Sequence, residues 1–304
     1  MGLCDKLLKT FLLLQLLMVV ETNWVFAQAS NFNAMYFQNR YLTDPSMAGF
    51  TKGLAANLGY QQQFNSVPGS PKLQYLTLDY HAGSNVGLGL NVNSSTVGLI
   101  SSTRLTGTYA YHLPVGQESN LNLGLSLGFD DNFIDYSQIV GNTGDVSVDR
   151  YNQRAVYVDG DFGASFTSDQ LTVQAAIPNL KSVFFKITAQ NLQTDMSVFY
   201  GAISYKFFSN SNNNFSIEPL LAVRGIRSSS DVFDGGFNLD MADYDFNFSA
   251  IYHTNKSATF GFGLNLDPII LSVAYTDSTA PIKTYSNNTF EIGLRLKFFN
   301  KRNN

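Results

Sequence analysis

The sequence is poor in cysteine and in charged residues, and it has no basic cluster. Cys4 is the only cysteine, and Asp, Glu, Lys and Arg make up 14% of the 304 residues, against about 25% in ordinary soluble domains. The net charge is −4 and the pI is near 5.3. Nucleic-acid binding requires a basic patch, so the sequence predicts no nucleic-acid partner.

The chain also lacks a long apolar run. Its strongest run, residues 11–20, follows a short basic region and precedes a small-residue stretch at 25–29. A membrane-spanning helix needs roughly 20 apolar residues, whereas this arrangement is typical of a cleavable signal peptide. We therefore predict a signal peptide over residues 1–27, with the mature chain starting at Gln28 or Ser30. Removal of that peptide takes the only cysteine with it, so we expect no thiol chemistry.

What the mature chain does contain is a period-two alternation of apolar and polar residues. Alternation of this kind places successive side chains on opposite faces of a β-strand. In the last such segment the even positions are apolar and the odd positions include three charges: Phe290, Ile292, Leu294, Leu296 and Phe298 against Glu291, Gly293, Arg295 and Lys297. Charges on one face are costly in a sandwich core, but they can face the water of a barrel lumen.

Fourteen segments carry this pattern, most of them about ten residues long. A strand tilted by about 45° needs roughly 9 to 11 residues to cross the hydrocarbon layer, and bacterial single-chain barrels have even strand numbers. We therefore predict an all-β, FadL-like transmembrane antiparallel up-and-down β-barrel over residues 53–304, with a pre-barrel segment at 28–52. The predicted strands are 53–64, 71–82, 85–97, 100–113, 119–130, 155–168, 170–177, 195–208, 214–227, 232–241, 243–253, 258–266, 268–277 and 288–299.

Connection lengths set the orientation of the predicted barrel. Bacterial barrels have short periplasmic turns and longer outer loops. The long connections at 131–154, 178–194 and 278–287 all follow odd-numbered strands, so we predict that they face outward. A soluble β-sandwich also alternates, but it rarely needs fourteen regular strands of this length.

The segment ahead of the first strand resembles the opening of a known family. The stretch Asp-Pro-Ser-Met-Ala-Gly at 44–49, the stretch Tyr-Gln-Gln-Gln-Phe at 60–64 and the proline-bearing loop at 68–71 resemble the PorP/SprF family of type IX secretion and gliding proteins. The family pattern has Asn and Ala where this chain has Asp44 and Ser46, and Arg and Trp at 61 and 64. The motif positions, as structural or docking residues, are Asp44, Pro45, Gly49, Tyr60, Gln63, Phe64 and Pro68.

The resemblance implies a function that periodicity and composition do not show. It implies a barrel in the outer membrane of a Gram-negative bacterium, surrounded by outer-membrane lipid. Such a barrel is non-enzymatic and helps export or anchor a secreted surface protein of the adhesin type, which carries a type IX C-terminal signal. Contact with periplasmic secretion or motility components is a further expectation from the resemblance.

Two other functions remain open at this point. A FadL-like channel for hydrophobic or small solutes is the first alternative, because about fourteen strands can enclose a lumen that an N-terminal plug can gate. An outer-membrane hydrolase is the second. For residues 28–52, an inward-folded plug and a periplasmic extension under the barrel mouth are both compatible with the sequence.

Residue types suited to catalysis or metal binding are few. His81, His112 and His253 fall on predicted lumen faces, and no serine-hydrolase elbow, zinc motif or Cys/His cluster accompanies them. Asp159 and Asp161 share a strand face, where a cation site competes with ion pairing to an arginine or lysine, namely Arg104, Arg224, Arg295 or Lys297. The acidic residues near 130 and 145 do not match a calcium loop. We predict no enzyme, no cofactor and no metal, with lumen-facing charges at Asp159, Asp161, Arg224, Glu291, Arg295 and Lys297.

Overall fold

A computed structural model of the chain describes residues 35–63, 69–135, 146–153, 156–184, 197–209, 214–226, 230–278 and 288–299. Within these residues, fourteen antiparallel strands form one closed sheet. The strands are β1 (Leu54–Gln62), β2 (Lys72–Gly83), β3 (Val86–Val97), β4 (Ile100–Pro114), β5 (Asn120–Ile134), β6 (Tyr157–Thr167), β7 (Leu171–Ile177), β8 (Ser197–Tyr205 and Phe207–Phe208), β9 (Phe215–Ile226), β10 (Val232–Met241), β11 (Phe246–His253), β12 (Ser257–Leu266), β13 (Ile269–Ser278) and β14 (Thr289–Phe298).

The sheet closes because the first and last strands pair. β1 pairs with β14 from Leu54 opposite Phe298 to Gln62 opposite Phe290, and its other edge pairs with β2. Consecutive strands pair all the way round, so the topology is up-and-down. The predicted fourteen-stranded antiparallel barrel is therefore confirmed.

Two strand ends lie three or four residues from the predicted ends for local reasons, and the others lie within two residues. β5 continues to Ile134 and not to 130, because its register with β4 extends to the pair Ile100–Ile134. The start of β11 moves from 243 to Phe246, because Ala242–Tyr244 form a 3-10 turn. Asp245 after this turn has φ +50°, a left-handed conformation that ends the turn before the strand begins.

β8 has a one-residue gap caused by a proline on its neighbour. Both parts of the strand share one register against β9, and that register places Pro219 opposite Tyr205. Proline has no N–H to donate, so the ladder between β8 and β9 lacks one bond at this point. The gap interrupts the strand without changing the number of strands in the wall.

The wall has an apolar outer face and a polar inner face, which is the reverse of a soluble barrel. On β5, Leu125 and Leu127 point outward with exposed fractions of 56% and 68%, whereas Asn122 and Ser126 point inward and are buried. An outward apolar band with a polar interior is the pattern of outer-membrane barrels. The exposed leucines therefore face lipid.

The long connections all lie at one end of the barrel, and the other end has only short turns. Turns of two residues occur at 84–85 and 267–268, whereas the connections at 135–156 and 178–196 contain the helices α1 (Val146–Asn152) and α2 (Leu180–Phe184). The start of β1 and the end of β14 both lie at the short-turn end, which therefore faces the periplasm. In the described part of the chain, no helix has the length and apolarity needed to cross a membrane.

Candidate functional site in the barrel lumen

Residues 35–49 lie inside the barrel, and we call them the lumen segment. They include two 3-10 helices, η1 (Arg40–Leu42) next to β2 and η2 (Pro45–Met47) next to β4, β5 and β6. The segment shares three buried apolar clusters with the wall: Tyr36 with Tyr200, Leu220 and Ile251; Tyr41, Met47 and Ala48 with Ala110; Met35 and Leu42 with Tyr75. The lumen is thus packed in the manner of a protein core along this segment.

Four inward-facing glycines let the lumen segment approach the wall closely. A Cβ built on Gly124 would lie closer than 3.0 Å to the backbone of Pro45 and Ser46. The other three would collide with the segment in the same way: Gly87 with the Ala48 carbonyl, Gly89 with the Tyr41 ring and Gly163 with the Asp44 carboxylate. Glycine allows close backbone approach at Gly87 and Gly124, and it leaves room for segment side chains at Gly89 and Gly163. We call the four residues the glycine seat.

Asp44 caps η2 and ties the lumen segment to the wall. Its Oδ1 accepts a hydrogen bond from the Ser46 backbone N–H at 2.9 Å, and its Oδ2 accepts one from the Gln174 amide at 3.2 Å. The Ser46 hydroxyl donates to Ser165 on β6 at 2.8 Å. Burial raises the pKa of Asp44 to about 6, because the hydrogen bonds offset only part of the desolvation of the charged form.

Tyr36 connects the lumen segment to a buried charge network near the outer end. Its hydroxyl donates to Asp234 Oδ2 at 2.5 Å, and its ring stacks on Tyr200 with 6.0 Å between centroids. Asp234 also accepts two hydrogen bonds from Arg224, at 2.8 and 3.0 Å, and lies 2.5 Å from His253 Nδ1. One carboxylate therefore holds the segment, an arginine and a histidine together, and burial raises the pKa of Tyr36 so that its hydroxyl remains a donor.

Polar side chains also hold the segment towards the periplasmic end. The Arg40 guanidinium pairs with Glu218 and donates to Thr172 at 3.1 Å. Arg295 donates to the backbone carbonyl of Gln38 at 2.8 Å.

Two histidines hold the backbone where the segment leaves the lumen. His81 Nδ1 lies 2.8 Å from the Gly49 carbonyl and His112 Nε2 lies 3.0 Å from the Ala48 carbonyl. The two imidazole rings are stacked, with 6.3 Å between their centroids. These lumen-facing histidines therefore contact the segment backbone.

The predicted pair Asp159 and Asp161 lies beside an arginine and a short helix. Asp161 pairs with Arg104 at 2.7 Å and accepts the Asn179 backbone N–H at 2.9 Å. Asp159 accepts the Lys181 backbone N–H at 2.9 Å. Both carboxylates therefore hold the start of α2 against the wall. The structure separates this group from Arg224 and Arg295, which contact Asp234 and the lumen segment, and from the half-buried Lys297 and the buried Glu291.

The structure distributes the family-motif positions over the segment and the first strand. Asp44 caps η2 and Pro45 is its first residue, and Gly49 has φ +63° with no room for a Cβ beside the Tyr80 carbonyl. A left-handed residue in such close contact has to be glycine.

The remaining motif positions fall around the outer end of β1. The Tyr60 hydroxyl donates to the Gln62 side chain at 3.0 Å, and Gln63 is buried just after the strand. Phe64 and Pro68 lie outside the described residues.

One hydrogen-bond chain has the residue types of a hydrolytic triad. Thr259 Oγ1 lies 2.8 Å from His253 Nε2, and His253 Nδ1 contacts Asp234. The Thr259 hydroxyl also contacts Thr276 at 2.7 Å, and Thr259 is only 1% exposed. A nucleophile has to meet its substrate, so the described geometry gives this chain of residues a packing role.

Sequence reasoning did not identify the glycine seat or Tyr36. The available signal was glycine at inward positions of neighbouring strands, as at Gly124 on β5 and Gly163 on β6, which are opposite each other in the register. The sequence does not indicate the partner of Tyr36, because Asp234 is 198 residues away in the chain.

The sequence matches the family model described as type IX secretion system membrane protein PorP/SprF over residues 25–296. Among curated proteins, no sequence matches the chain.

Solved outer-membrane barrels share the fold at low sequence identity. The structure is similar to the CymD monoaromatic hydrocarbon channel, with a TM-score of 0.54 and 14% identity over 90% of this chain and 95% of that one. It is similar to the Ralstonia pickettii toluene transporter TbuX, with a TM-score of 0.50 and 11% identity over 90% of this chain and 96% of that one. It is also similar to a deltaS2 mutant of the TodX monoaromatic hydrocarbon channel, with a TM-score of 0.51 and 10% identity over 86% of this chain and 95% of that one. These similarities concern the fold alone.

Proposed function

Because the chain belongs to the PorP/SprF family of type IX secretion system membrane proteins, we propose that it is a non-enzymatic outer-membrane docking component. It helps export or anchor a secreted surface protein of the adhesin type that carries a type IX C-terminal signal. The family assignment supports involvement with secreted cargo and secretion components. The adhesin-type partner and its anchoring are the proposal.

The observation that carries the proposal is the occupied lumen. Residues 35–49 pack on the glycine seat and are held by Asp234 near one end and by Glu218 towards the other. Such packing supports a plug and favours docking over conduction, because a permeant solute would have to displace a buried segment. We propose that the pre-barrel residues 28–52 act as this plug.

The proposed docking surface is the outer end of the barrel. Long loops on a rigid scaffold are where binding residues concentrate, and the connections at 135–156 and 178–196 carry α1 and α2. The base of the first connection is fixed, because Asn152 forms two hydrogen bonds with the backbone of Ile134, at 2.7 and 3.0 Å. These hydrogen bonds hold α1 against the outer end of β5.

A channel for hydrophobic or small solutes is the second candidate function. The similar solved structures include proteins whose titles call them monoaromatic hydrocarbon channels, and this shared fold is the reason to test conduction. The family match and the packed lumen favour the docking function.

The experiment compares a deletion strain with its parent by surface labelling of intact cells and by uptake of aromatic and small polar solutes. Docking predicts that a secreted protein moves from the cell surface into the medium while uptake is unchanged. Removal of residues 136–145 from the outer loop should have the same effect and leave a folded barrel. The matched control removes residues 211–213 from the turn at the opposite end. Normal surface display with lost uptake would replace docking by the channel function.

A further inference from the structure

Gln61 and Glu291 form a polar pair that none of the contacts above uses. They lie directly opposite each other on β1 and β14, near the outer ends of the two strands. Their exposed fractions are 1% and 4%, and both occupy inward positions of the alternating pattern. The pair is therefore part of the inner wall just below the outer mouth.

The described residues do not satisfy the hydrogen-bonding capacity of this pair. Within that part of the chain, Gln61 Oε1, Gln61 Nε2 and Glu291 Oε2 are buried without a partner. Three other inward carboxylates are paired with arginine: Glu218 with Arg40, Asp161 with Arg104 and Asp234 with Arg224. Buried polar groups without partners are strongly unfavourable, so a ligand that supplies partners would stabilise this pair.

The three unpartnered atoms define the chemistry of such a ligand. Glu291 Oε2 and Gln61 Oε1 accept hydrogen bonds, whereas Gln61 Nε2 donates. An ammonium group supplies donors and a positive charge, and an oxygen next to it accepts from Nε2. A calcium ion needs six or more oxygen ligands, and no group of three His, Cys, Asp or Glu able to hold a metal occurs among the described residues.

The neighbours of the pair shield it from solvent. Leu73 lies opposite Gln61 on β2, and the adjacent row contains Tyr75, which packs with Met35 of the lumen segment. Hydrogen bonds to a charged ligand are stronger in such a low-dielectric environment than in water.

We propose that Gln61 and Glu291 bind an α-ammonium group and its neighbouring carbonyl oxygen, which is the chemistry of a peptide amino terminus. The ammonium donates to Glu291 Oε2 and Gln61 Oε1, and the Gln61 amide donates to the first carbonyl oxygen. The terminus comes either from another polypeptide or from the processed end of this chain, predicted at Gln28 or Ser30. This inference does not depend on the docking function.

The first arm of the test measures ligand binding to the purified full-length barrel by calorimetry after long incubation. The probe is glycinamide, which carries both groups; acetylglycinamide lacks the ammonium and methylammonium lacks the carbonyl. An external terminus predicts that wild type binds glycinamide at least tenfold more tightly than either reference compound. Glu291→Gln and Gln61→Leu should each weaken binding at least tenfold, whereas Glu118→Gln, in an exposed periplasmic turn, should not.

The second arm tests whether the terminus belongs to this chain. In that case glycinamide does not bind wild type, and the α-amino group reacts with a water-soluble acylating ester at least tenfold faster in Glu291→Gln than in wild type or Glu118→Gln. Heat-modifiable gel mobility identifies folded barrels, and Gln61→Leu replaces Glu291→Gln if the latter does not fold. Equal α-amino reactivity in all three proteins without glycinamide binding overturns the proposal. Equal glycinamide affinity in wild type and Glu291→Gln overturns it as well.

Discussion

The glycine seat allows a direct test of how the lumen segment is held, because one methyl group added to the seat should loosen the segment. In Gly124→Ala the new Cβ would meet the backbone of Pro45 and Ser46 closer than 3.0 Å. Backbone atoms cannot move aside like the end of a flexible side chain, so the segment has to shift. Overpacking of this kind costs about 1–3 kcal/mol. Because about 1.4 kcal/mol corresponds to a factor of ten, the population with an undocked segment should rise roughly 5- to 100-fold.

Thiol labelling of the segment measures that population. Met47→Cys, in a Cys4→Ser background, places a thiol at a position that is 5% exposed in the docked segment. Its labelling rate by a small maleimide should rise roughly 5- to 100-fold when Gly124→Ala is added. The matched control is Gly107→Ala on β4, where a new Cβ meets nothing within 4 Å. Equal labelling rates in the Gly124→Ala and Gly107→Ala proteins would refute the seat.

Three further predictions concern the segment and the wall. Tyr36→Phe removes a hydrogen bond to a charged group, worth about 1.5–3 kcal/mol, so thiol labelling at position 47 should rise at least tenfold. Burial raises the pKa of Asp44 from 3.8 to about 6, so the docked state binds more protons than the undocked state between these pH values. Docking should therefore weaken by up to about 3 kcal/mol as the pH rises from 3.8 to about 6, and it should stay constant above that pH. The ratio of the labelling rate to that of the Asp44→Asn protein, taken at each pH from 4 to 7, checks this dependence, because thiol labelling itself depends on pH. Leu125→Arg, on the lipid face, should lower the unfolding free energy in lipid vesicles by about 2–4 kcal/mol, whereas Gln117→Arg in an exposed turn should change it little.

The wall could be predicted from the sequence because its rules are local. The apolar–polar pattern of each strand repeats every two residues, so Leu125 and Ser126 on β5 are assigned to opposite faces without knowledge of any other strand. The length of each strand matches the thickness of the membrane. Connection lengths then give the orientation. The interruption of β8 needed more information, because it depends on the register that places Pro219 opposite Tyr205.

The lumen contacts could not be predicted, because they join residues that are far apart in sequence. Periodicity indicates that Asp161 faces inward, but four arginine or lysine partners were equally compatible with the pattern. The register and the curvature of the wall select Arg104. The sequence pattern at position 124 is likewise compatible with any small inward-facing residue. Only the position of the lumen segment shows that a residue larger than glycine has no room there.

The inner wall itself favours the docked position of the lumen segment. Barrel interiors that face water are polar, yet Leu220 and Ile251 occupy inward positions and are 5% and 2% exposed. Both pack in the cluster that contains Tyr36 of the segment. If the segment left the lumen, these two side chains would meet water at a cost of about 1.5–3 kcal/mol each, and Asp234 would lose the Tyr36 hydroxyl. An open pore does not require apolar residues at these positions. A filled, rigid barrel that presents docking loops does require them.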